Sequence, residues 1–170
     1  MSRPVVIFSA DTIRGNIAAR KLSRENFAPR LLHRAVAAVS AVAEERPRAF
    51  VFDAASCIPD ELRYLLHFCE SLLGGETGVV VLGNSTLELP WTADQAGAIF
   101  LPDPLDPEAL VIGVTAFFVV SPRLDAIQIQ QARHSQYFLS NAPKNLWSDA
   151  IGITSEVDFE TQLMDFLQLR

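Results

Sequence analysis

The sequence predicts a doubly wound α/β domain: a five-stranded parallel sheet with helices on both faces, followed by a helical C-terminal extension. Three observations predict it. Short apolar runs recur through the first hundred residues, helix-start signals follow most of them, and Gly or Pro punctuates the joins. The runs are also continuous rather than alternating, as in strands covered on both faces.

Taken in order, Pro4 to Phe8 is the first strand, and Asp11 is placed to cap a helix over Thr12 to Asn26. Arg30 to His33 is a weak second strand, and the alanine-rich stretch Ala35 to Glu45 is a helix stopped by Pro47. Ala49 to Phe52 makes the third strand, ending at Asp53. Pro59-Asp60-Glu61 then opens a helix that runs to Leu73 and ends at Gly74-Gly75. Val79 to Leu82 is the fourth strand. Pro90 and Gly97 leave room only for a short or irregular helix before the fifth strand, Ala98 to Leu101, and Pro107 opens the last helix of the domain. Beyond Pro122 the composition turns glutamine-rich, then passes through Asn141-Ala142-Pro143-Lys144-Asn145. A final helix is expected from Ser155, with Asp158 completing its cap and Phe159, Leu163, Phe166 and Leu167 at helical spacing. The expected division is a domain over residues 1–121 and a tail over residues 122–170, packed on the domain or on a partner subunit.

At 170 residues the chain is long enough for one domain with an appendage. Apolar residues make up 49% and charged residues 20%, a globular composition. The net charge of −6 is unevenly spread: residues 1–50 carry +5, so the remainder carries −11. Cys57 and Cys69 have neither metal-type spacing nor histidines near them in sequence that would complete a metal motif, which fits a reduced, cytoplasmic setting and no bound metal. Only Arg3 stands before the first apolar run, without the features of a secretory leader. The longest apolar run, Ala109 to Val120, is short of the ~20 residues that span a bilayer, so no membrane association is expected.

Two segments narrow the class further. Phe50-Val51-Phe52-Asp53 ends a strand on an aspartate. Gly97-Ala98-Ile99-Phe100-Leu101-Pro102-Asp103-Pro104-Leu105-Asp106-Pro107-Glu108-Ala109-Leu110 joins a strand to a helix through Pro and Asp-Pro-Glu. Over roughly residues 3–121 the chain resembles the receiver domains of two-component response regulators. The resemblance implies a flavodoxin-like sheet of order 2-1-3-4-5 and places Asp53 where the family accepts a phosphoryl group from a histidine kinase.

The same resemblance implies a dismantled site. The family holds Mg²⁺ with an acidic pair after the first strand, where this chain has Ser9 and Ala10, with Asp11 one residue late and better explained as a helix cap. Gly83 stands where a Ser or Thr hydroxyl is expected, and Asp103 replaces the lysine. Phosphoryl transfer to a carboxylate depends on a hard cation and fixed positive charge around the transferring group. Without them, Asp53 is expected to survive as a polar strand-end residue bonded to loop amides, and no catalytic residue or cofactor is expected. Cys57 is a poor nucleophile candidate because only His33 and His67 are near the expected sheet, and His67 reads as the polar edge of a helix.

The helix from Pro107 is apolar on every side, so it requires cover: the tail, a second copy, or another signalling protein. Leu110, Ile112, Val114, Phe117 and Phe118 are the interface candidates, with Trp91 and Trp147 as possible anchors. From Leu124 onward there are three Arg/Lys against six Asp/Glu, which gives no basic recognition helix and no expected nucleic-acid partner. The reading is a non-catalytic pseudo-receiver acting through protein contacts. The alternatives are an atypical phospho-acceptor using Asp53 and a flavodoxin-like small-molecule binding domain with a pocket at the strand ends.

Overall fold

The computed structural model describes residues 3–84, 87–89, 98–119, 137–143 and 145–146. Its chain order is β1 (Pro4–Phe8), α1 (Thr12–Arg24), β2 (Ala28–Leu32), α2 (Ala35–Glu45), β3 (Ala49–Asp53), a 3₁₀ turn (Ala54–Ser56), α3 (Pro59–Leu72), β4 (Gly78–Gly83), β5 (Ala98–Pro102) and α4 (Pro107–Val119). The strands form one parallel sheet in the order β2-β1-β3-β4-β5, as expected.

Strand residues alternate between two apolar layers. Val6, Phe8, Phe50, Phe52, Val79 and Val81 face α2 and α3, while Val5, Ile7, Val51, Val80 and Leu82 face α1 and α4. That double cover is why the strands read as unbroken apolar runs. The edge strand β2 begins two residues before the expected start and ends at Leu32. Its signal is weak because Ala28 and Arg30 are exposed at the sheet's edge, where Pro29 and a charge discourage further pairing.

Helix ends follow local chemistry. Asp11 caps α1, its Oδ1 accepting the amides of Ile13 at 2.8 Å and Arg14 at 3.1 Å. The helix stops at Arg24, short of the expected Asn26, because Asn26 takes a left-handed φ of 64°. Helix α3 starts with Pro59 in its first turn, and Gly74 turns the chain away with φ 77°.

Helix α4 corrects part of the sequence reading. Leu110 and Val114 are fully buried against the sheet, so these two interface candidates belong to the domain's own core. Phe117 and Phe118 are half-buried. The Phe117 ring lies over Gly78, and Phe118 packs edge-on against Phe27 with the Arg48 guanidinium 5.9 Å from its ring centre. Ile112 and Val119, by contrast, are 71% and 78% exposed, so the described residues leave the outer face of α4 open.

The described part of the tail packs on the opposite side of the sheet. Residues 137–140 make a helical turn, and Phe138 inserts its ring edge-on among Tyr64, His67 and Phe68 of α3, where the Tyr64 hydroxyl donates to the Phe138 carbonyl at 3.1 Å. Leu139, Ala142 and Leu146 are buried in the same layer. The expected helix from Ser155, the irregular helix before β5, Trp91 and Trp147 lie outside the described residues.

The approach of α4 to β4 leaves no space at Gly78, where an added Cβ would stand 2.2 Å from the Phe117 ring. Gly78→Ala is expected to lower the unfolding free energy by about 1–3 kcal/mol in urea titrations, the usual cost of overpacking. A variant as stable as the parent would show that the α4 terminus can move aside freely.

Candidate functional site

Asp53 ends β3 at the carboxyl edge of the sheet, between β1 and β4, and is 1% exposed. A carboxylate so deep requires compensation. Loop amides do not supply it, contrary to expectation. Arg14, in the first turn of α1, lays its guanidinium along the carboxylate: Nε stands 3.0 Å from Oδ2 and Nη2 stands 3.0 Å from Oδ1. The Ser9 hydroxyl, 2.7 Å from Oδ2, adds a third donor, with the Asp11 carbonyl at 2.8 Å as its alternative acceptor. Both Asp53 oxygens are thus satisfied by a paired fork and a hydroxyl, the strongest class of neutral-pH carboxylate contact.

Arg14 also reaches across the sheet. Its Nη2 donates to Asp103 Oδ1 at 2.8 Å, at the end of β5. Asp103 therefore faces the site and is matched there by an opposite charge. Hydrogen bonding to Asp53 and, to a lesser degree, Asp103 pushes the Arg14 pKa further above its ordinary value against the opposing effect of burial, so the cation is permanent. The sequence reading missed Arg14. The available signal was a basic residue in a first helical turn that lacks acidic residues, a position where the helix dipole disfavours a cation unless an anion lies nearby.

The remaining positions form a shell. Ser56 Oγ accepts the Ala10 amide at 2.9 Å and lies 2.9 Å from the Asp53 carbonyl, to which it donates. Gly83 accepts the Asp103 amide at 2.7 Å, and a Cβ on Gly83 would crowd Leu87 at 3.1 Å and Phe100 at 3.3 Å, so a hydroxyl side chain has little room there. Lys21 does not approach Asp53. It bridges α1 to α4 through Glu108 at 2.6 Å and pairs with Glu25 at 3.2 Å. Cys57 is held protonated, chiefly by burial and then by the charges of Glu61 and Asp53.

A divalent cation does not fit this set. Magnesium needs several free oxygen ligands in near-octahedral array. Here Ser9 and Ala10 supply no carboxylate, Asp11 is committed to its helix, and a guanidinium already neutralises the Asp53 oxygens. Among the described residues, no group of three or more His, Cys, Asp or Glu side chains is placed to hold a metal ion. A larger cleft of about 820 Å³ runs along α3 beside residues 137–143, lined by Arg63, Leu66, His67 and Pro143 among others, but it lies away from Asp53.

Comparison with known proteins agrees with this geometry at the level of fold. No protein-family model matches the sequence, and no curated protein matches it. Solved receiver domains do match in structure. The chemotaxis response regulator CheY4 of Vibrio cholerae is 13% identical, with a TM-score of 0.54 over 69% of this chain and 99% of that one. A response regulator receiver domain of Bacillus halodurans is 10% identical, with a TM-score of 0.55 over 72% and 100%. The Francisella response regulator 1452 receiver domain is 14% identical, with a TM-score of 0.54 over 69% and 97%. The chain therefore has the flavodoxin-like fold of response-regulator receiver domains. No helix among the described residues is long and apolar enough to cross a membrane.

Removing Arg14 would strand a buried carboxylate. Arg14→Met, which keeps the aliphatic stem, is expected to cost about 2–3 kcal/mol of unfolding free energy, below the full value for a buried pair because the arginine side chain is 24% exposed. Adding Asp53→Asn should recover most of that loss, since no unpaired charge remains. A stability unchanged in Arg14→Met would show that the fork contributes nothing.

Proposed function

We propose that this protein is a receiver-type signalling module of the two-component kind that works through protein contacts, without phosphoryl transfer to Asp53. The observation that carries this reading is the fork of Arg14 on Asp53. The guanidinium engages the carboxylate oxygens that would themselves be the nucleophile toward a phosphoryl group and neutralises the charge that would otherwise draw a metal ion. A phosphoryl group arriving on Asp53 would also meet Asp103 without the family's lysine to balance it. On this reading the domain is a pseudo-receiver, non-enzymatic and cytoplasmic, with no nucleic-acid partner.

The test is direct. Incubated with Mg²⁺ and either acetyl phosphate or beryllofluoride, the full chain is expected to show no aspartyl adduct by intact mass and no change in melting temperature. Stoichiometric phosphorylation lost in Asp53→Asn would overturn the reading in favour of an atypical phospho-acceptor.

The contact surface in this proposal is the outer face of α4, where Ile112, Ala116 and Val119 lie at helical spacing without a charge among them. A second copy of the chain is the partner, since the same apolar stripe on both subunits is self-complementary. Sedimentation of the full chain should show a concentration-dependent dimer that Ile112→Glu abolishes without loss of stability. A parent chain that remains monomeric at all accessible concentrations would remove this surface from consideration.

A further inference from the structure

Helix α1 has an outer stripe that the domain leaves open. Gly15, Ala18 and Leu22 are its buried positions. Diametrically opposite them, at i, i+4, i+7 and i+11, stand Ile13, Ile17, Arg20 and Arg24. Ile13 is 74% exposed and Ile17 46%. Arg20 and Arg24 are exposed and make no ion pair among the described residues, whereas Arg14 is held by Asp53 and Asp103, and Lys21 by Glu25 and Glu108. The stripe is therefore apolar in its first half and cationic in its second, and it fits a partner that is apolar along one line and acidic beside it.

The chain carries such a sequence beyond its last described residue, Leu146. Phe159, Leu163 and Phe166 repeat the spacing of Ile13, Ile17 and Arg20. Glu156, Asp158, Glu160 and Asp165 accompany them, and Arg170 is the single basic residue from Ser155 onward. The point of attachment is close to α1. Leu146 lines a small cavity together with His33, and His33 Nδ1 lies 2.8 Å from the carbonyl of Ser9, two residues before the Asp11 cap. The eight residues 147–154 reach roughly 26–29 Å when extended, more than the ~20 Å length of a helix the size of α1.

We propose that residues 155–170 dock in cis on the outer face of α1. Phe159, Leu163 and Phe166 cover Ile13 and Ile17, and the carboxylates beside them pair with Arg20 and Arg24. Charge selects this face over the others. On α4, Ile112, Ala116 and Val119 offer the acidic segment no cation, and the cleft along α3 meets it with Asp60, Glu70 and Glu88 against Arg63 and His67. Exposed ion pairs of this kind are individually weak. The tether makes the contact intramolecular, and the high effective concentration that follows lets a modest surface hold the segment. The contact is independent of whether Asp53 accepts a phosphoryl group, and it leaves the outer face of α4 to a second copy of the chain.

Photocrosslinking in the full chain tests this, with p-benzoylphenylalanine in place of Ile17 and, as a control, in place of Ile112. The probe at position 17 is expected to join residues 155–170 within one chain, at the monomer mass, with a yield about tenfold or more above that of the probe at position 112. Arg20→Glu together with Arg24→Glu should lower that yield by about fivefold, as loss and reversal of two exposed ion pairs predict. Both arginines are exposed and unpaired, so the melting temperature of this variant should match the parent's. Adding Glu156→Lys, Glu160→Lys and Asp165→Lys should restore most of the yield. Crosslinks that map elsewhere, crosslinks that join two chains, a yield indifferent to the arginines, or a loss that the reversed segment leaves unrestored would each overturn the proposal.

Discussion

The carboxyl edge of this sheet is organised by one buried charge and its counterion. Asp53 lies in the middle of the sheet, where an ionised carboxylate has lost nearly all its water. Burial of that kind persists only with a matched partner and full hydrogen bonding. Arg14 meets the requirement and in doing so ties three parts of the chain together: the start of α1, the end of β3 and the end of β5. Ser9 adds the end of β1 through its hydroxyl. The Asp11 cap fixes where α1 begins, and the start of the helix determines whether the guanidinium can reach. Further along the same helix, Lys21 repeats the pattern by bridging to Glu108 at the start of α4.

Much of the architecture was legible because it rests on short-range signals. Strands buried on both faces must be apolar throughout, and helix ends are marked by Asp11, Pro59 and Gly74, so element order followed, whereas the order of strands in the sheet came from the family resemblance. The edge strand was read two residues late because its outer positions are under little pressure to be apolar. Helix α4 was legible in extent but not in orientation. With apolar residues at nearly every position, periodicity cannot separate Leu110 and Val114, which face the sheet, from Ile112 and Val119, which face outward. Tertiary contact alone makes that division.

The site was half legible for a similar reason. The resemblance implies a missing lysine, hydroxyl and acidic pair at its motif positions, and Asp103 drew notice by its charge. Arg14 matches no motif position. Its partners lie 39 and 89 residues away, so its role appears only when α1 is laid against the sheet. Asp103 changes meaning once Arg14 is in view. In sequence it is a charge that opposes phosphorylation, whereas in the fold it is the second anchor of the cation that satisfies Asp53.

On the proposed reading a side chain takes the place of a free ion, and that alters what such a domain can do as a switch. A magnesium ion and a phosphoryl group arrive and depart, so the site they share has two occupancies and can bias two conformations. A guanidinium fixed to α1 is present at every pH at which the fold exists and cannot be diluted away. The charge state that a receiver visits transiently is here a constant of the covalent structure. A ligand can shift a conformational equilibrium only by its differential affinity for the two states, and on the proposed reading phosphate has little differential affinity to offer a carboxylate already neutralised on both oxygens. On that reading, variation in the behaviour of this protein comes from surfaces able to change partners, and among the described residues the outer face of α4 is such a surface.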